Sequence, residues 1–207
     1  ATTAIYTLSL HDALPISGGT FTLASQSGAG SASGTLNLLG GTLRTHADIR
    51  DGGGNAATTV NLDGATLDMT GRALGSAAAP IDAPLLRSGT LLNLGQLNGG
   101  APLVKTGPGT LTLGGTNTYT GATVVSNGTL RLASPAALPP AAALDLAPAA
   151  VLDLPFTGTQ TVHTAAIGGK PKPAGLYSSA NLSPSLTGTG HLRVEWPPPD
   201  RTLLLLR

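Results

Sequence analysis

The chain has 207 residues, of which 10% are charged and 3% aromatic, with 29 glycines, 16 prolines and a formal net charge of +1. So few charged side chains cannot coat the wet faces of a helical bundle, and an apolar share of 41% is too large for a disordered chain. The absence of cysteine excludes disulfides, thiolate metal sites and thiol catalysis, and the eleven basic and ten acidic side chains are scattered, with no basic stripe to follow nucleic acid.

Residues 1–16 stand apart from the rest of the chain. Tyr6, His11, Asp12 and Pro15 lie among Leu8, Leu10, Leu14 and Ile16 without the glycine punctuation found later. The segment has no positive n-region, and His11-Asp12 interrupts its apolar run, so it does not read as a signal peptide. Its wording from Tyr6 to Ile16 resembles translated sequencing-adapter read-through, and it is expected to be a non-native leader foreign to the fold. At the other end, residues 196–207 hold Pro197-Pro198-Pro199-Asp200-Arg201 and a run of leucines, and are expected to form an unstructured tail. No apolar run reaches the roughly twenty residues of a membrane helix.

Between them, over 17–195, one phrase recurs: Gly-Thr, then apolar, polar, apolar. It is Gly19-Thr20-Phe21-Thr22-Leu23, Gly34-Thr35-Leu36-Asn37-Leu38, Gly109-Thr110-Leu111-Thr112-Leu113 and Gly128-Thr129-Leu130-Arg131-Leu132. Looser copies include Gly64-Ala65-Thr66-Leu67-Asp68-Met69, Leu144-Asp145-Leu146, Leu152-Asp153-Leu154 and Gly190-His191-Leu192-Arg193-Val194. Alternation at period two marks a half-buried strand, and the preceding glycines mark turns. Helix is expected nowhere except in the alanine-rich stretch 133–149, which Pro135, Pro139, Pro140 and Pro148 already break. The better copies return about every twenty residues, the spacing of solenoids. A strand with one apolar stripe buries it only by stacking on equivalent strands, which makes a continuous leucine ladder. The fold predicted is therefore an all-β parallel solenoid over 17–195, with a β-sandwich as the alternative.

Residues 103–132 carry the sharpest wording: Lys105, Thr106, Gly107, Gly109, Thr110, Leu111, Leu113, Asn117, Tyr119, Gly121, Thr123, Gly128, Thr129 and Leu130 in fixed order. This pattern resembles the autotransporter-associated β-strand repeat, also called the passenger-associated transport repeat. The region 143–194, with Gly175-Leu176-Tyr177 and Leu186-Thr187-Gly188-Thr189-Gly190, is similar to the segment that closes such arrays. The resemblance implies a right-handed parallel β-helix, an extracellular or bacterial cell-surface location, and a part in secreting the passenger of an autotransporter. It does not set what the passenger does outside the cell. The membrane barrel of a complete autotransporter has aromatic girdles, and nothing of that kind follows Val194.

For chemistry, the polar residue of each phrase is expected to point outward: Thr22, Asn37, Asp68, Asn93, Thr112, Arg131, Asp145, Asp153 and Arg193. Asp145 and Asp153, near Arg131, are the carboxylates that could act as acid and base in a polysaccharide lyase or hydrolase. Solvated decoration of a wet sheet is the simpler reading, and no enzyme is expected. His11, His46, His163 and His191 show no metal-ligand spacing, and no G-x-S-x-G phrase occurs. Asp51-Gly52-Gly53-Gly54-Asn55 lacks the alternating acidic ligands of a calcium loop and reads as a turn, as do Gly99-Gly100 and Gly114-Gly115. Lys105 reads as a solvated edge charge and Tyr119 as a packed corner. No cofactor or metal is expected. The chain is expected to be a structural segment that continues upstream, with Pro197 to Pro199 blocking growth at the other end. An adhesin-like module for extracellular glycans or surface proteins is the alternative.

Overall fold

The computed structural model describes residues 4–8, 13–16, 21–23, 33–51 and 57–196, with side chains placed at 35–51 and 58–196. The alternating phrases become strands, and the glycine turns between them bend the chain into coils. The first coil holds β1 Ala4–Leu8, β2 Ala13–Ile16 and β3 Phe21–Leu23, and the second β4 Ser33–Leu38, β5 Thr42–Thr45 and β6 Ile49–Asp51. The third and fourth have one long strand each and a short one: β7 Ala57–Asp68 with β8 Ala73–Leu74, then β9 Ala83–Leu92 with β10 Gln96–Leu97. Two-stranded coils come next, β11 Leu103–Lys105 with β12 Thr110–Gly114 and β13 Thr123–Val125 with β14 Thr129–Leu132. The coil after them has β15 Ala143–Leu146, β16 Val151–Leu154 and β17 Thr159–Val162. The last runs from β18 Thr164–Ile167 through an excursion of β19 Lys170–Pro171, β20 Gly175–Tyr177 and α1 Ser179–Leu182 to β21 Leu186–Gly188 and β22 His191–Val194.

Successive coils stack in parallel, which makes a β-solenoid and excludes the antiparallel layers of a sandwich. A first wall follows the pairing Leu38, Leu62, Leu86, Lys105, Val125, Leu146, Ile167. A second wall pairs Leu43, Leu67, Leu91, Leu113, Leu132 in one column and Leu111, Leu130, Leu152, Leu186 in the next. A third wall runs β3, β6, β8, β10 and resumes with β17 on β22. Both columns of the second wall are buried leucine throughout, each side chain contributing about 1.5–3 kcal/mol on burial. Ahead of the C-terminal excursion, side chains such as Asn117 and Asn93 reach a neighbouring coil 20 and 25 residues away in sequence, close to the period of the recurring phrase.

The C-terminal end is closed by residues 168–185. On the free edge of β18 the strand β19 runs antiparallel, and on the free edge of β22 the strand β20 does the same. At β21, Ser179 Oγ donates to the Gly188 carbonyl (3.2 Å). An open solenoid end would template further strands, so reversing the strand direction here ends the parallel stack. Stretch 133–149 has turns and one strand and no helix; the four-residue α1 is the one helix among the described residues. Its prolines remove the donors a helix would need. Residues 1–16 contribute β1 and β2, whose backbones pair in parallel with β4 and β5. Within the proposed tail only Trp196 is described, and the Pro197 to Pro199 block lies outside the described residues.

Candidate functional site

The segment from β11 to β14 places its polar side chains inside the coil, where each one holds a neighbouring coil. Lys105 occupies the inward column of the first wall, between Leu86 and Val125, and the whole residue is buried. Its stem fills a slot that the neighbouring coils fill with aliphatic side chains. Its ammonium reaches the corner between the first and second walls, where Nζ donates to the carbonyls of Thr106 (2.8 Å), Gly107 (2.8 Å) and Asn127 (3.0 Å). The expected solvated edge charge is therefore a buried clip. A long basic side chain can bury its stem and still satisfy its head, and the glycine corner turns three carbonyls toward it. Burial pushes the Lys105 ammonium below its ordinary value, and the Asp63 carboxylate opposes that shift.

Asn117 holds three coils at once. The Leu94 N–H donates to its Oδ1 (2.7 Å), and its Nδ2 donates to the carbonyls of Gly114 (3.3 Å) and Ala137 (2.7 Å). Residues 116–120 and 133–142 form no strand on the third wall, so the amide supplies the inter-coil bonds that a ladder would have made. Tyr119 is 1% exposed and its hydroxyl shares a hydrogen bond with Thr123 Oγ1 (2.7 Å). Burial drives the phenol well above its ordinary range, and Thr123 opposes the shift. The glycines allow this packing. A Cβ on Gly121 would lie 2.0 Å from the Ala101 carbonyl oxygen, and Gly128 has φ +73° with its Cβ position 2.5 Å from the Gly109 oxygen.

Residues 103–132 match the passenger-associated-transport-repeat family. The match covers this segment of the chain, and a search of curated proteins and another of solved structures returned no match. The positions that carry the transport repeat thus divide between the leucine ladder (Leu111, Leu113, Leu130), the coil clips (Lys105, Asn117, Tyr119, Thr123) and the corners (Gly107, Gly109, Gly121, Gly128). Thr106, Thr110 and Thr129 stand at the wall edges, where they are half-buried or exposed.

The outward column is mixed. Arg131, Asp145 and Arg193 are exposed, and Asn37, Asn93, Thr112 and Asp153 half-buried; the Thr22 side chain lies outside the described residues. Asp68 departs from the expectation, being 3% exposed. Arg44 Nε (2.9 Å), Asn93 Nδ2 (2.9 Å) and the Thr70 N–H (3.1 Å) all donate to its carboxylate. Burial raises the Asp68 acid, and these donors outweigh it and hold the group below its ordinary value. Asn93 continues the chain of contacts by accepting from the Thr116 N–H (3.1 Å), so one polar string ties four coils.

The two carboxylates considered for catalysis are not brought together. Asp145 stacks between Val124 and Ala166 on the first wall. Asp153 is on the second wall, 3.7 Å from Arg131 Nη1 and accepting from Thr187 Oγ1 (2.9 Å). Among the described residues His46 and His163 are exposed and His191 half-buried, and no group of three His, Asp or Glu side chains could hold a metal. No helix among them is long and apolar enough to cross a membrane. Gln160 is a clip that the sequence pattern alone does not single out. It is 1% exposed, accepts from the Leu138 N–H (3.2 Å) and donates to the carbonyls of Leu138 (3.2 Å) and Thr161 (2.8 Å). Its one signal is the alternation of Gln160 with Val162, which puts an amide on the inward side of β17. Of the turn 51–55, residues 52–55 lie outside the described residues.

Proposed function

We propose that this chain is a structural segment of an exported bacterial surface protein, where it supports folding and secretion of an autotransporter-like passenger. The observation that carries the reading is the use of the transport repeat's polar positions. Lys105, Asn117 and Tyr119 make their hydrogen bonds inside the stack. In this reading their work is to fix one coil on the next. A coil cannot bury its stripe alone, so each rung gains stability as it docks on a formed neighbour. Docking of this kind needs no partner molecule and can proceed as successive coils emerge outside the cell. The location assigned is the cell surface or beyond.

The reading gives the chain no catalytic role, which the separation of Asp145 and Asp153 onto two walls supports. It is tested by fusing the chain ahead of an autotransporter membrane barrel in a Gram-negative host and measuring the amount exposed to external protease. The expected result is efficient exposure of the native chain and a several-fold loss with Leu111→Asp, which puts an unpaired charge into the ladder. Equal exposure of the two would overturn the reading.

A further inference from the structure

We propose that the outer face of the first wall, beside the C-terminal cap, carries a binding site for a neutral oligosaccharide, with Trp196 as its stacking platform. The site is a shallow hollow of about 410 Å³, within the usual size range of small-ligand pockets. Val124, Ala143 and Ala166, half-buried residues of the first wall, give its lining an apolar bed of short side chains. Asp145 rises from that bed, in register between Val124 and Ala166. Trp196 and Lys172 complete the lining from the layer above β18.

Trp196 is the one tryptophan of the chain and is 56% exposed, an unusual placement for so large an apolar ring. It is nevertheless held in place. Its backbone N–H donates to the His163 carbonyl (2.8 Å), and its ring lies 5.3 Å from the His163 ring at a tilt of 34°. Two residues along the same edge, the Lys172 backbone N–H donates to the Ala165 carbonyl (2.8 Å), which fixes the cap strand at the rim. Among the described residues neither the Asp145 carboxylate nor the Lys172 ammonium has a hydrogen-bond or ion-pair partner.

The chemistry selects the ligand. An indole face and a bed of methyl groups suit the C–H face of a sugar ring. One acceptor and one donor of opposite charge suit hydroxyl groups, which serve as both. The single ammonium is balanced by the single carboxylate, so a polyanion finds no cluster of positive charge. An extended peptide adding as a strand is disfavoured, because the first-wall backbones here are already paired to both neighbours. This site is independent of the secretion reading: the fold has to be intact, but the export assay can fail without affecting it.

The test uses the full chain and the fluorescence of its single tryptophan. Cellotriose, chitotriose and maltotriose are titrated separately, with trigalacturonate as the charged comparison. The expected result is a saturable change with at least one neutral trisaccharide and a weaker response to trigalacturonate. Asp145→Asn and Lys172→Ala, both on the surface, should each weaken the binding by about threefold to tenfold. Trp196→Ala, followed by calorimetry, should lower it by about tenfold or more. Absence of a saturable change with every neutral probe, tighter binding of trigalacturonate, or binding that the three variants leave unchanged would each overturn the proposal.

Discussion

Replacing Asn117 by alanine isolates the role of a side-chain clip. The native amide makes three hydrogen bonds, to Leu94 N–H, Gly114 carbonyl and Ala137 carbonyl. Leu94 and Ala137 are both fully buried, so after truncation water cannot take over their N–H and C=O. A buried polar group left without a partner costs about 1–3 kcal/mol. The two short bonds at 2.7 Å then set a loss of about 2–6 kcal/mol, and the 3.3 Å bond to Gly114 adds little. A solenoid of this size has only about 5–15 kcal/mol in total, so the effect should dominate the unfolding curve. Urea unfolding followed by circular dichroism measures it, with Thr116→Ala as the exposed control, expected to stay within about 0.5 kcal/mol of native. Asn117→Ala falling in the same narrow range as the control would refute the clip.

Lys105→Met keeps the buried stem and removes the charged donor. The three carbonyls it leaves are at a half-exposed corner, where water can reach some of them, so a loss of about 2 kcal/mol is expected by the same urea measurement. A variant as stable as native would show that the ammonium contributes nothing net. Tyr119→Phe leaves Thr123 Oγ1 buried without its partner, at about 1 kcal/mol, and also changes the alkaline limb. Because burial raises the Tyr119 phenol above its ordinary value of 10.0, the unfolded chain loses that proton first. Native stability should therefore decline as pH rises past 10.0, and the decline should be shallower in Tyr119→Phe; parallel pH profiles would contradict this.

The ladder is legible in the sequence because its physics is local. Leu111, Leu113, Leu130 and Leu132 alternate with polar residues, and the same phrase after each glycine turn implies that the alternating sides meet. All four are fully buried and stack in register. The third wall is not legible, because residues 133–142 have no alternation: there Asn117 and Gln160 replace strand pairing with side-chain bonds that one coil makes to another. Lys105 escapes a sequence reading for a related reason. A lysine at a strand end is usually solvated, and only the folded corner brings the Thr106, Gly107 and Asn127 carbonyls around its ammonium. Asp68 fits the outward period of its phrase, yet Arg44 and Asn93, from the coils on either side, cover it. The cap at 168–185 carries no periodic signal, since its work is to interrupt the pattern.

Parallel stacking in a fixed register can be measured directly because the chain has no cysteine of its own. Thr112 and Arg131 are partners across β12 and β14, both on the outer face of the second wall. Neighbouring strands lie about 4.8 Å apart, within reach of a disulfide. The double variant Thr112→Cys with Arg131→Cys should cross-link rapidly under mild oxidation, as read by peptide mass spectrometry. Thr112→Cys with Thr129→Cys, displaced by two residues along the strand, should not. Cross-linking of the second pair in preference to the first, or of neither, would contradict the stacked-coil account.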